Sequence, residues 1–177
     1  MTGLPGAGKS TLARELARHF HLPLAAKDLI KEPLLDVLGA TDAVQSRRLS
    51  DASFAALFRL AHEWAANGVS FVLEGNFRPG EHETPLHQAA ASARLAQVLC
   101  RVPEAERRAR LLARENHPLR HAGHRFGERL SARSVAPLPG GDAFLELVSL
   151  RLIHDWASHH TVLSELHNWM NLSAASL

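Results

Sequence analysis

The chain has 177 residues, 46% of them apolar and 21% charged, which suits one domain with a core of its own. A formal charge of +2 does not by itself imply a nucleic-acid partner, and no apolar run reaches the ~18 residues of a membrane span. The first residues lack the basic-then-apolar order of a signal peptide, and Cys100 has no second cysteine to pair with, so a buried thiol and a cytoplasmic location are expected.

In chain order, Gly3-Leu4-Pro5-Gly6-Ala7-Gly8-Lys9-Ser10 comes first. Leu12, Ala13, Leu16, Ala17 and Phe20 then recur at helical spacing and predict a helix over 9–20. A short apolar run over 23–26 reads as a buried strand. Asp28 opens a second helix as its cap, running to 38 and stopped by Gly39. Residues 42–66 are mostly helical, with a break placed near Ser50, and end at Asn67-Gly68. The β-branched and aromatic run over 69–73 is the clearest strand, ending in Glu74-Gly75-Asn76. A helix over 86–94, a strand over 95–102 closed by Pro103, and a basic helix over 104–115 follow. Residues 116–141 have no clean period and read as a lid. A last strand over 144–148 and a closing helix or pair of helices over 150–169 complete the chain. Strands alternating with helices imply a single α/β domain over 1–177, three layers deep, with a mainly parallel sheet and a lid over roughly 110–141.

The opening segment matches Gly-x-x-x-x-Gly-Lys-Ser in full and leads into an amphipathic helix, the pattern of a phosphate loop. Glycines let successive N–H groups turn inward as donors, and the helix N-terminus adds positive partial charge. Lys9 is placed to reach the β- and γ-phosphates of ATP, and the Ser10 hydroxyl to ligate Mg²⁺. Only Met1 and Thr2 stand before Gly3, whereas this motif follows a strand buried at the centre of the sheet. Four or five such side chains contribute roughly 6–15 kcal/mol at about 1.5–3 kcal/mol each, as much as a whole domain's stability. The expectation is a truncated central strand and a true start about five to eight residues upstream, which reading the upstream DNA in frame tests.

Lys27-Asp28-Leu29-Ile30-Lys31-Glu32 stands at the end of the second strand, where open α/β sheets bind ligands. An Asp there can orient an attacking hydroxyl and take its proton. With that element, the Gly-Leu-Pro-Gly-Ala-Gly-Lys-Ser-Thr start, the strand leading to Glu74, Asn76 and Phe77, and Arg120-His121-Ala122-Gly123-His124, the chain resembles the small-molecule kinases of the P-loop class, the AAA_33 type. Their relatives include polynucleotide kinase, zeta-toxin-like kinases, gluconate kinase and chloramphenicol phosphotransferase. The likeness spans roughly residues 3–124.

The resemblance implies a P-loop NTPase fold of the nucleoside-kinase kind, with ATP and Mg²⁺ as cofactors and a small-molecule hydroxyl as acceptor. It implies that Gly3, Leu4, Pro5, Gly6, Ala7, Gly8, Lys9, Ser10 and Thr11 hold the nucleotide and that Asp28 is the general base. Lys27 and Lys31 flank that base and hold an acidic part of the substrate or steady the carboxylate, Glu74 touches substrate or the magnesium water shell, and Asn76 adds a polar contact. Arg110, Arg114 and Arg120 are candidates for steadying the transferring phosphoryl group. Nine arginines against four glutamates lie between Arg101 and Arg133, while the three lysines of the chain are Lys9, Lys27 and Lys31.

His117, His121 and His124 have metal-like spacing, but Pro118 interrupts any shared helix, so a lid is preferred to zinc. Two other readings stand beside the kinase: a polynucleotide 5′-hydroxyl kinase, for which Phe77 and Phe126 are the candidate stacking aromatics, and an ATP-binding protein that transfers nothing. The close of the chain, with Trp156 and Trp169, departs from the family and is expected to pack as core.

Overall fold

The computed structural model describes residues 1–115, 143–148 and 156–174. Its strands are β1 (Thr2–Gly3), β2 (Leu24–Ala26), β3 (Val72–Glu74), β4 (Ala96–Arg101) and β5 (Ala143–Val148). Its helices are α1 (Lys9–His19), α2 (Lys27–Leu38), α3 (Ala43–Ala66), α4 (Glu83–Ala89), α5 (Glu104–Glu115) and α6 (Trp156–Ala174). Every ladder is parallel: β2 pairs with β3, β1 with β4, and β4 with β5. The two groups of strands meet through Met1, whose N donates to Leu73 O at 2.7 Å and whose O accepts from Gly75 N at 3.3 Å. The spatial order is therefore β2-β3-β1-β4-β5. The central strand is only two residues long.

Helices cover the sheet on both faces, as a parallel sheet requires. One core cluster joins Ala25 and Leu73 to Phe54, Leu57 and Ala61 of α3 and to Leu86 and Ala89 of α4. A second joins Leu12 and Leu16 of α1 to Val98 and Cys100 of β4 and Val162 of α6. The expected stripe on α1 is the buried one, with Leu12, Ala13, Leu16 and Ala17 all inside. Cys100 is buried too, and burial pushes its thiol up to about 11. Trp169 is half-buried, with the Arg94 guanidinium 4.3 Å from its ring centre. The Trp156 side chain lies outside the described residues, as does the whole of 116–142. No helix among the described residues is long and apolar enough to cross a membrane.

Several boundaries depart from the sequence expectation. Asp28 does not cap α2: the cap position is Ala26, without a side-chain bond, and Asp28 lies inside the first turn. α3 runs unbroken past Ser50, because nothing there interrupts its apolar face. Its start is capped by Asp42, whose Oδ1 accepts from Gln45 N at 2.8 Å while Gln45 Oε1 accepts from Thr41 N at 2.9 Å. Asp42→Ala is expected to cost about 1 kcal/mol, read as a lower urea midpoint at constant slope. Strand β3 is shorter than its apolar run because Val69 N is spent on Trp64 O, closing α3 around Gly68 at φ 70°. α4 begins before Leu86 because Pro85 is tolerated in a first turn, where N–H groups lack helical partners anyway.

Phe77 is not an exposed stacking platform. It is buried against Phe54, Phe58 and His82. His82 Nδ1 accepts from Arg78 N at 3.0 Å, and its ring lies 4.1 Å from that of Phe54. Burial, with Arg78 and Arg47 adding and Glu81 and Asp51 opposing, pushes the imidazole below its ordinary 6.5. The folded protein thus resists a proton that the unfolded chain accepts. The stability from neutral His82 is full above pH 6.5 and is lost as pH falls through the lower folded-state value. Melting temperatures from pH 8 down to 5 should decline more steeply in the native chain than in His82→Asn, which keeps an acceptor but cannot titrate.

Candidate functional site

The loop between β1 and α1 has the geometry its residue types suggest. Gly3 sits at φ +146°, and a Cβ there would fall 2.4 Å from the Cys100 carbonyl oxygen, so no side chain fits. Gly6 at φ +83° presses on α5, where a Cβ would stand 3.1 Å from Arg107 O. Gly8 precedes α1 in the left-handed region, and Ala7 N closes a turn on Leu4 O at 3.1 Å. Lys9 is the first residue of α1. Its side chain is buried and arches back, Nζ donating to Leu4 O at 3.1 Å. An ammonium and a helix N-terminus thus converge at one loop, the arrangement that suits a polyphosphate. Thr11 follows in an exposed position.

Three chain segments bring oxygen atoms to the next part of the site. Ser10 Oγ donates to Glu74 Oε2 at 3.3 Å, and Glu74 is 4% exposed at the end of β3. β2 pairs alongside, Ala26 opposite Glu74, so α2 starts at the same sheet edge. Ser10, Glu74 and Asp28, with Arg14 and Glu32, line one small cavity of about 40 Å³. Hard oxygen donors of this kind suit Mg²⁺, which takes one or two protein oxygens and completes its shell with phosphate and water. Ser10 fits such a role directly and Glu74 through water. Among the described residues no group of three or more His, Cys, Asp or Glu could hold a metal without such help.

Lys27 Nζ lies 2.7 Å from Asp28 Oδ1 and so steadies that carboxylate. Lys31 is buried and donates to Ser46 Oγ of α3 at 3.0 Å, a contact that ties α2 to α3. Asn76 is half-buried just past Glu74.

The arginines divide. Arg110 Nη1 approaches Gly6 O at 3.5 Å and Arg110 Nη2 pairs with Glu106. Arg114 is exposed farther along α5. Arg120, His117, His121, His124 and Phe126 lie outside the described residues. Two residues of this region are not singled out by the motifs. Arg107 is 4% exposed, forks onto Glu104 at 2.8 and 2.9 Å, and reaches Pro5 O at 3.4 Å. Arg107 and Arg108 together pull the exposed Glu104 carboxyl down to about 2. Arg14, on α1, lines the same small cavity as the carboxylates. The three-residue spacing of Glu104 and Arg107 was a usable signal for the first. Arg14 carried none, since a helical Arg reads as solvated surface.

Comparison with known proteins speaks to the family and the fold. Three solved structures are similar over nearly the whole chain. A kinase candidate from Chloroflexus aurantiacus j-10-fl is 28% identical with a TM-score of 0.85, covering 94% of each chain. A sugar kinase from Janibacter sp. HTCC2649 is 18% identical, TM-score 0.59, covering 98% of this chain and 94% of its own. A gluconokinase from Sinorhizobium meliloti 1021 is 14% identical, TM-score 0.57, covering 97% and 94%. The last two show the fold alone, that of P-loop kinases. No curated protein matches the chain. The AAA_33 family model, an AAA domain, matches residues 1–132, about three quarters of the sequence. With its phosphate loop, its parallel sheet and that match, the chain belongs to the AAA_33 family of P-loop, kinase-like AAA domains.

Proposed function

We propose that this protein transfers the γ-phosphoryl group of ATP, as its magnesium complex, to a hydroxyl of a small molecule. One observation carries the reading: Asp28 shares a cavity with Ser10 and Glu74, so a proton acceptor stands beside the end of the phosphate loop. The names of the similar structures, a kinase candidate, a sugar kinase and a gluconokinase, support phosphoryl transfer as the class of reaction.

In this reading the loop amides and Lys9 hold the phosphates, and Ser10 and Glu74 hold the ion with its water shell. Mg²⁺ supplies charge that offsets the phosphate oxygens. The acceptor oxygen forms a bond to the γ-phosphorus, the bond from that phosphorus to the bridging oxygen breaks, and ADP departs. Asp28 takes the hydroxyl proton, with Lys27 keeping the carboxylate in place. Arg107 and Arg110 brace the loop backbone through Pro5 O and Gly6 O. Arg114 and Arg120 remain the candidates for meeting the transferring group from the lid.

The test is direct. Calorimetry should show ATP binding strengthened by Mg²⁺, and a panel of sugars, sugar acids, nucleosides and other alcohols should release ADP with at least one acceptor. Tight ATP binding without transfer to any of them would favour a nucleotide-binding protein that is not an enzyme. Absence of nucleotide binding would reject both.

A further inference from the structure

Helix α5 meets the phosphate loop through two arginines, each tethered by a glutamate of its own helix. Arg107 forks onto Glu104 through Nε and Nη2, at 2.8 and 2.9 Å, which leaves Nη1 to reach Pro5 O at 3.4 Å. Arg110 pairs with Glu106 and approaches the next carbonyl, Gly6 O, at 3.5 Å. The two differ in setting. The Arg107 side chain is 5% exposed against 17% for Arg110. Its Cγ and its own carbonyl oxygen stand 3.3 and 3.1 Å from where a Cβ on Gly6 would be. A buried guanidinium is costly unless its donors are used, and here three of its nitrogens have partners.

The Pro5–Gly6 peptide is trans, so with Pro5 O turned out to Arg107 the Gly6 N–H turns into the loop. The next peptide follows the same rule. Gly6 O faces Arg110, and Ala7 N bonds Leu4 O inside the loop at 3.1 Å, the oxygen that Lys9 Nζ also meets. Among the described residues no backbone carbonyl accepts from Gly6 N. Successive N–H groups on one side of a loop make a concavity for an anion.

We infer that Arg107 is a positioning residue for polyphosphate binding: held by Glu104, it fixes the Pro5–Gly6 peptide with the N–H aimed at the phosphates. The inference rests on the reading that this loop holds ATP. Arg107 stands on the carbonyl side of the loop, so its effect passes through the backbone rather than through its charge. Reach and fork are what count. A lysine pairs with Glu104 as a point charge and has no second arm for Pro5 O.

Calorimetry with magnesium ATP and with magnesium tripolyphosphate compares the native chain with Arg107→Leu, Arg107→Lys and Arg108→Leu. Amide exchange at Ala7 in the unliganded proteins reads the loop itself. Arg107→Leu should weaken both ligands by about 10-fold and speed Ala7 exchange by about as much. Its melting temperature should stay near the parent's, because leucine packs beside Leu111 and the Glu104 left behind is half exposed. Arg107→Lys should lose nearly as much affinity, and it decides alone if Arg107→Leu fails to fold. Arg108→Leu removes the same charge one position on, where the side chain is 56% exposed and pairs with the same Glu104, and should change affinity by less than about twofold. Recovered affinity in Arg107→Lys, or an equal loss in Arg108→Leu, overturns the inference, since charge alone would then act. Unchanged Ala7 exchange in Arg107→Leu overturns it too. A native chain that binds neither ligand rejects the nucleotide reading itself, a result distinct from native binding that the Arg107 variants leave intact.

Discussion

Lys9→Ala is expected to lower the ATP-dependent transfer rate by about 10²–10³-fold, the loss typical of one preorganised donor. The size follows from where the ammonium sits. Lys9 is the first residue of α1, 9% exposed, and its Nζ already lies against Leu4 O across the loop. A charge held in so dry a place loses little in reorganising as negative charge shifts during transfer. Lys9→Arg should be nearly as damaging, because a planar fork cannot take the place of a compact ammonium beside a loop packed this closely. Lys9→Met keeps the buried stem and separates lost charge from lost packing: its melting temperature should stay near that of the parent while the rate falls as for alanine. Steady-state rates at saturating ATP and Mg²⁺, with melting curves alongside, check the series. An unchanged rate in Lys9→Met would remove Lys9 from the mechanism.

Much of this site was legible in the sequence because its chemistry is local. The loop from Gly3 to Ser10 combines backbone requirements and side-chain roles within eight consecutive positions. A positive φ at Gly6 or a Cβ-free approach at Gly3 leaves its mark in the residue type itself. Helix α5 was equally plain, since Glu104 and Arg108 and then Glu106 and Arg110 stand one turn apart. What was lost is what depends on partners distant in sequence. The apolar run before Glu74 looked like five residues of strand, but a strand exists only where a neighbour pairs with it. β2 offers three positions, and Val69 closes a helix instead. Phe77 read as a free aromatic until Phe54 and Phe58, some twenty residues earlier in sequence, were seen to cover it. Lys31 also carries a contact that its own helix does not announce, with Ser46 of α3. The spacing of Arg107 from Glu104 signals an ion pair, but not that the phosphate loop is laid against the same guanidinium.

Asp28→Asn is expected to lower kcat by about 10²–10⁴-fold while leaving ATP binding within a factor of about two. The substitution preserves shape and one hydrogen-bond acceptor and removes the capacity to take a proton, so it isolates the chemical step. Asp28 lies in the first turn of α2, beyond the loop that carries the nucleotide contacts, which is why affinity should be spared. The Lys27 contact at 2.7 Å gives a second arm. With Lys27→Met the carboxylate keeps its charge but loses its anchor, so kcat should fall less than with Asp28→Asn. The double variant should be no worse than Asp28→Asn alone, because an anchor matters only while there is a base to hold. Additive losses would mean that Lys27 acts on the acceptor or the nucleotide in its own right. A full rate in Asp28→Asn would leave the carboxylate a structural part of α2 and would move the search for the base to Glu32 and Glu74, which line the same small cavity.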